Sequence, residues 1–350
     1  MPSTPKRLDE KLERIRKDPV NCRDFIIADA KDADMGFGIT APGPERDRCS
    51  HPYNESDGCW KTLANYREQI RSVIAQDIVD IVLLSASNLE QLGIREQLFS
   101  HSSITPAARA NDTSDIWIVR GGKYASQPSR SFRSATIDHI KYGRLTEDHA
   151  QACSGTDIGL YSITFTNELE WDHRSLEDFY RFRIEAERKR FRYFLEVFNP
   201  NVDPGFDPRR TGAFLNDHIV RCLAGVTTIG RPQFLKIPYN GPGPLEELVA
   251  YDPQIVVGIL GGSAGTTLDA FQLIHDARKH GARVALFGRK INLSENPLAF
   301  IEFLSRVVKG EISPKEAVKA YHAVLRGLNI KPARSLERDS QLTENVLKYG

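Results

Sequence analysis

The sequence predicts an α/β fold: a (β/α)8 barrel with long loops after its first and third strands. Three observations carry this expectation. Short apolar runs alternate with longer charged segments of helical period, the pattern of βα units around a parallel sheet. Several runs are continuously apolar, as strands covered on both faces must be. No glycine-rich turn follows the first strand, which argues against an open doubly wound sheet. The 350 residues fit such a barrel with insertions.

Residues 1–24 read as a helical extension ahead of the barrel. They carry many charges and no apolar run, so no secretory leader is expected. The barrel is expected over 25–310, beginning with the strand FIIADA, Phe25 to Ala30. The polar stretch Lys31 to Cys59, rich in Gly, Pro and Asp, reads as an extended loop, and long loops in compact domains usually serve function. A helix over Trp60 to Gln76 leads to VDIVLLSA, Val79 to Ala86, then to a helix over Leu89 to Phe99. DIWIVRGG, Asp115 to Gly122, is taken as the third strand, followed by a basic, polar segment without a clear helix.

The pattern then sharpens. IGLYSITFTN (Ile158 to Asn167) is the fourth strand and FRYFLEVFN (Phe191 to Asn199) the fifth, with a charged helix over Ser175 to Arg190 between them. A helix over Ala213 to Leu223 precedes FLKIPY, Phe234 to Tyr239, the sixth strand. A short helix, Pro244 to Ala250, leads to IVVGILGG, Ile255 to Gly262. A helix over Thr267 to His280, the strand ARVALFGR (Ala282 to Arg289) and a helix over Pro297 to Lys309 complete the barrel. Residues 311–350 form one more helix, Ser313 to Leu328, opened by Ser-Pro at its cap, and a polar tail expected to fray.

Composition excludes several classes. With 40% hydrophobic and 27% charged residues and a net charge of +1, the chain has no global field toward membrane or nucleic acid. No apolar stretch approaches the ~18 residues needed to span a bilayer. The five cysteines are scattered and form no CxxC pair, which favours reduced thiols in a cytoplasmic setting over disulfides or zinc. No metal or cofactor is expected. The basic segment Arg120 to Arg144 lacks the interleaved aromatics that stack bases, so a nucleic-acid partner is not expected.

Active sites of such barrels lie at the C-terminal strand ends. There the seventh strand offers Gly261, Gly262 and Ser263, and the eighth Gly288 and Arg289. Glycines let backbone N–H groups approach an anion, the next helix adds its positive end, and arginine forms paired contacts to phosphate. A phosphorylated small molecule is the expected ligand. Lys236 stands within the apolar sixth strand. Burial lowers an amine's pKa toward what attack on a carbonyl needs; the other reading is a lysine paired with a carboxylate or reaching solvent. Glu196, on the neighbouring strand, either pairs with Lys236 and moves protons or is a structural ion pair. Asp29 is the candidate for orienting substrate hydroxyls or Lys236, while Asp32 and Asp34 read as turn caps. Tyr161 and Tyr193 could donate protons, but aromatic residues on strands are more often core, and the core is where they are expected.

From FLKIPYNGPGPLEELV through VVGILGGSAGTTLDAFQLIHDARKHGARVALFGRKINLSENPLAF, the chain resembles the class I, Schiff-base aldolases. The likeness is to archaeal-type fructose-bisphosphate and tagatose-bisphosphate aldolases, and more distantly to deoxyribose-phosphate aldolase. It implies an aldolase-type barrel with the nucleophile at Lys236 and a phosphate site at Gly261, Gly262, Ser263, Gly288 and Arg289. It further implies site carboxylates at Asp29 and Glu196. The expected activity is C–C bond cleavage or formation in a phosphorylated sugar or related ketone, in a homo-oligomer. Two other readings stay open: a phosphate-binding isomerase or epimerase without a Schiff base, and a non-catalytic protein that binds sugar phosphate or RNA.

Overall fold

In the computed structural model, residues 4–45, 59–148, 151–262 and 265–349 are described. Eight parallel strands close into a barrel: β1 (Ile26–Lys31), β2 (Ile81–Leu84), β3 (Thr105–Arg109), β4 (Ile158–Thr164), β5 (Arg192–Phe198), β6 (Leu235–Ile237), β7 (Val257–Leu260) and β8 (Val284–Phe287). Each strand pairs with the next in sequence, and β8 closes on β1. The longer helices are α1 (Arg7–Lys17), α2 (Leu63–Gln76), α3 (Leu169–Arg188), α4 (Thr211–Ala224), α5 (Pro242–Tyr251), α6 (Thr267–Lys279), α7 (Pro297–Lys309) and α8 (Pro314–Gly327).

Side-chain alternation divides the apolar residues into two cores. Ala28, Leu83, Ala107, Leu160, Phe194, Phe234 and Leu286 point into the barrel. Their neighbours along each strand pack against the helix layer. Leu8, Leu12 and Ile15 of α1, spaced along one helical face, join the inner core. Lys11 donates to the carbonyl of Phe25 at 2.8 Å and Arg7 to that of Val79 at 2.6 Å, so α1 seals the end where strands begin.

Three expectations are corrected. The third strand is Thr105–Arg109, not Asp115–Gly122. Its sequence, TPAAR, has no apolar run because Ala107 and Ala108 fill narrow sites on either face. Asp115 to Gly122 lies beyond it in a loop, where Trp117 and Ile118 are exposed. Asp112–Thr113 and Ser131–Phe132 pair antiparallel across that loop, and a six-residue helix, Ile137–Tyr142, stands where none was clear from sequence. The tail does not fray: Asp339 and Leu347 are buried, and the Tyr239 and Tyr349 hydroxyls lie 2.5 Å apart. Of the loop expected over 31–59, residues 46–58 lie outside the described residues. Among the described residues, no helix is long and apolar enough to cross a membrane.

Candidate active site

The inner-core alternation continues one layer toward the C-terminal strand ends, and there the inward side chains turn polar. Two residues past Ala107 comes Arg109, two past Leu160 comes Ser162, two past Phe194 comes Glu196, and two past Phe234 comes Lys236. Ser162 lies beside Glu196 in register, Glu196 beside Lys236, and Lys236 beside Gly258.

These side chains form one buried network. Lys236 Nζ lies 2.5 Å from Glu196 Oε1. Ser162 donates to Glu196 Oε2 at 2.7 Å and accepts from Arg109 Nη1 at 3.2 Å. Arg109 Nε donates to Asp32 Oδ2 at 2.5 Å, and Asn111 brackets the Ser162 backbone with two hydrogen bonds. Taking an isolated charge out of water costs several kcal/mol, so buried charges persist only when paired. Here Asp32 and Glu196 balance Arg109 and Lys236. Burial works against the Arg109 charge, but the fields of Asp32, Glu196 and Asp112 outweigh it and raise its pKa.

The network floors a cavity of about 120 Å³ whose walls include Asp32, Arg109, Glu196, Lys236, Gly261, Gly262, Gly288 and Arg289. One glycine is required by a close contact: a Cβ on Gly261 would fall 2.3 Å from the Phe287 ring, while one on Gly288 would sit tightly against Ala30 at 3.0 Å. Arg289 has no ion pair among the described residues; its guanidinium lies 5.4 Å from the Phe37 ring centroid. Burial lowers its pKa, and the field of Glu196 partly opposes this.

The structure thus brings together Lys236, Glu196, Gly261, Gly262, Gly288 and Arg289; Ser263 lies outside the described residues. Asp29 is not among them. Ala28 points into the barrel and Ala30 lines the cavity, so strand parity turns Asp29 and Lys31 to the helix layer. There Asp29 lies 3.2 Å from Lys31 Nζ, and Lys31 bonds the Asn292 side chain. Asp32, read from sequence as a turn residue, is the carboxylate that faces the cavity among the described residues of that loop. Arg109 escaped the sequence reading because its strand did. The run of polar residues at even spacing from buried ones was the available signal for Ser162.

A second correction concerns the end of α6, expected to turn its N–H groups toward an anion. Thr267 N–H donates to Asp339 Oδ1 at 2.8 Å, and Thr266 and Asp269 cap each other reciprocally. The helix end is satisfied within the protein, and Gly261 N–H donates to the Leu286 carbonyl at 2.7 Å, so Arg289 is left as the cation on this side of the cavity with no ion pair among the described residues. Tyr161 and Tyr193 lie in the helix-layer core, as expected. The basic segment is largely held locally: Arg133 pairs with Glu185 at 2.6 Å, and Lys141 donates to the Lys189 carbonyl at 2.6 Å.

No protein-family model matches the sequence, and no curated protein is similar to it in sequence. Solved structures are similar in fold. A crystal structure of an archaeal fructose 1,6-bisphosphate aldolase superposes with a TM-score of 0.59 at 16% identity, covering 87% of this chain and 99% of that one. An archaeal fructose-1,6-bisphosphate aldolase with its catalytic lysine covalently bound to the carbinolamine intermediate gives 0.58 at 16% identity, covering 86% and 99%. The fructose-bisphosphate aldolase of Slackia heliotrinireducens DSM 20476 gives 0.61 at 13% identity, covering 91% of each. The chain shares the (β/α)8 fold of these aldolases.

Proposed function

We propose that the protein is a class I aldolase that cleaves or forms a C–C bond in a phosphorylated sugar or related ketone through a Schiff base on Lys236. The observation that carries this reading is the buried Lys236–Glu196 pair at 2.5 Å, on the floor of a cavity that also holds Arg289. A lysine attacks a carbonyl only as the free amine, and Glu196, 2.5 Å from Lys236 Nζ, takes the ammonium proton. The amine adds to the carbonyl carbon, and the carbinolamine loses water to give an iminium. Loss of the proton from the hydroxyl on the far carbon of the C–C bond then breaks that bond: the hydroxyl-bearing carbon leaves as an aldehyde, and the electron pair passes to the iminium nitrogen, leaving an enamine on Lys236. Protonation of the enamine carbon and hydrolysis restore Lys236. Ser162, which donates to Glu196, holds that carboxylate in place.

Charge balance supports a phosphate. Of the charged side chains that line the cavity, Asp32 and Glu196 offset Arg109 and Lys236, and Arg289 adds one positive charge. A dianionic phosphate beside Gly262, Gly288 and Arg289 would be attracted, and its binding would position the reacting carbon; Gly261, whose N–H donates to the Leu286 carbonyl at 2.7 Å, would give it room rather than a hydrogen bond.

Borohydride trapping with dihydroxyacetone phosphate, read by intact mass, tests this. A stable adduct on Lys236 is expected, lost in Lys236→Ala and formed roughly 100-fold more slowly in Glu196→Gln. No adduct in protein that binds inorganic phosphate would instead make Lys236 a fixed charge, as in an isomerase or epimerase. Neither adduct nor phosphate binding would remove both halves of the reading.

A further inference from the structure

Beyond Arg289 lies a second chamber of about 400 Å³, lined by Phe37, Trp60, Ile118, Val119 and Leu293, with Arg120 at its side. It shares Ala33, Phe37, Ile118 and Arg289 with the candidate active site. The catalytic cavity is small, about 120 Å³. Sites that enclose a whole ligand usually measure ~300–1,000 Å³, so the two spaces together have the size of a binding site and the smaller one alone does not.

The order of groups around the barrel mouth fixes what the chamber can hold. Lys236 stands on β6, the glycine turn follows β7, and Arg289 follows β8. The chamber comes next, between the loop after β1 and residues 292–293. Neither Lys236 nor Glu196 borders it; the shared residues at the junction include Arg289 and the Phe37 ring beneath its guanidinium. A ligand that reaches from Lys236 into the chamber therefore passes Arg289 partway along its length. The chamber's walls are mostly carbon, with aromatic rings and two guanidinium groups, a lining suited to a planar or apolar group next to negative charge.

We propose that the natural substrate carries a ring-sized, largely apolar group joined through its phosphate, as a phosphodiester or diphosphate, and that this group occupies the chamber. The proposal rests on the phosphate-site reading above and narrows its substrate class.

The test compares inorganic phosphate with phenyl phosphate by calorimetry, in the wild-type protein and in Thr40→Trp, which fills the chamber from the first loop. Val119→Trp, from the other wall, serves as the second variant should the first fold poorly. Phenyl phosphate is expected to bind about tenfold to a hundredfold more tightly than inorganic phosphate, the return from burying one ring. The filled variants should lose that preference and keep their affinity for inorganic phosphate. Equal affinity for both anions in the wild type would overturn the proposal, as would a preference that survives both filled variants. Phenyl phosphate binding that is lost in the filled variants, in a protein blind to inorganic phosphate, would keep the chamber and remove the phosphate site. The same pattern without borohydride trapping would keep the chamber and remove only the Schiff base.

Discussion

Beside the buried network of Arg109, Ser162, Glu196 and Lys236, Asp112 is buried with Oδ1 lacking a hydrogen-bond partner among the described residues. Burial lifts its pKa to about 6; Arg109 pulls it back down and Asp32 adds to the rise. A carboxyl group whose folded pKa lies above its unfolded one contributes its full stability below the unfolded pKa, near 3.8, and loses it as pH rises through about 6. The displacement corresponds to a loss of at most about 3 kcal/mol between pH 4 and pH 8. Asp112→Asn keeps the shape and removes the titration. The variant should match the wild type at pH 4 and exceed it by about 2 kcal/mol at pH 8, read from urea unfolding at both values. Parallel pH profiles for the two proteins would show that Asp112 ionises without cost, its charge carried by Arg109.

At the scale of elements, legibility followed the kind of burial each strand undergoes. β4, β5 and β8 are faced by large side chains on both sides and announce themselves as apolar runs. β3 is faced by alanines and ends in an arginine satisfied by Asp32, a partner distant in sequence, so nothing local marks it. The apolar residues of Asp115 to Gly122 pointed to a strand for the opposite reason: Trp117 stacks on Tyr124 at 4.4 Å in a loop. For the site, Lys236 and Glu196 were legible as charges inside apolar strands, and the glycines and Arg289 as turn chemistry. Asp29 was misplaced because one residue of parity decides which face a strand side chain takes. The tail was unreadable because its contacts are polar and long-range. Asp339 accepts from the Thr267 backbone and lies 2.9 Å from His322 Nε2, joining α8 to the start of α6. Asp339→Ala strands a buried backbone donor and should cost about 1–3 kcal/mol in chemical denaturation, whereas Asp339→Asn, which keeps an acceptor, should cost less. An unchanged midpoint for the alanine variant would mean that the tail rests on α6 without supporting it.

For the whole molecule, the apolar seal and the buried charges occupy opposite ends of one barrel. The end where strands begin is apolar and closed by Leu8, Leu12 and Ile15, while the other end concentrates the paired charges and the cavity. The middle layer, with Phe194 stacked on Phe234 at 4.5 Å, separates the two. A packed interior transmits strain, but removing atoms leaves a cavity that the surroundings fill only in part, so little displacement should travel beyond the residues that touched them. Leu12 is 2% exposed, and Leu12→Ala should cost about 2–5 kcal/mol, the range for a leucine removed from a packed core. Its consequence for the site should be nil as long as the protein remains folded. The measurement is a pair: the unfolding midpoint, which should fall, and the affinity for inorganic phosphate per folded molecule, which should hold. A loss of affinity in proportion to the loss of stability would show that the α1 seal shapes the far end of the barrel, and that the layer between them is not the insulator its packing indicates.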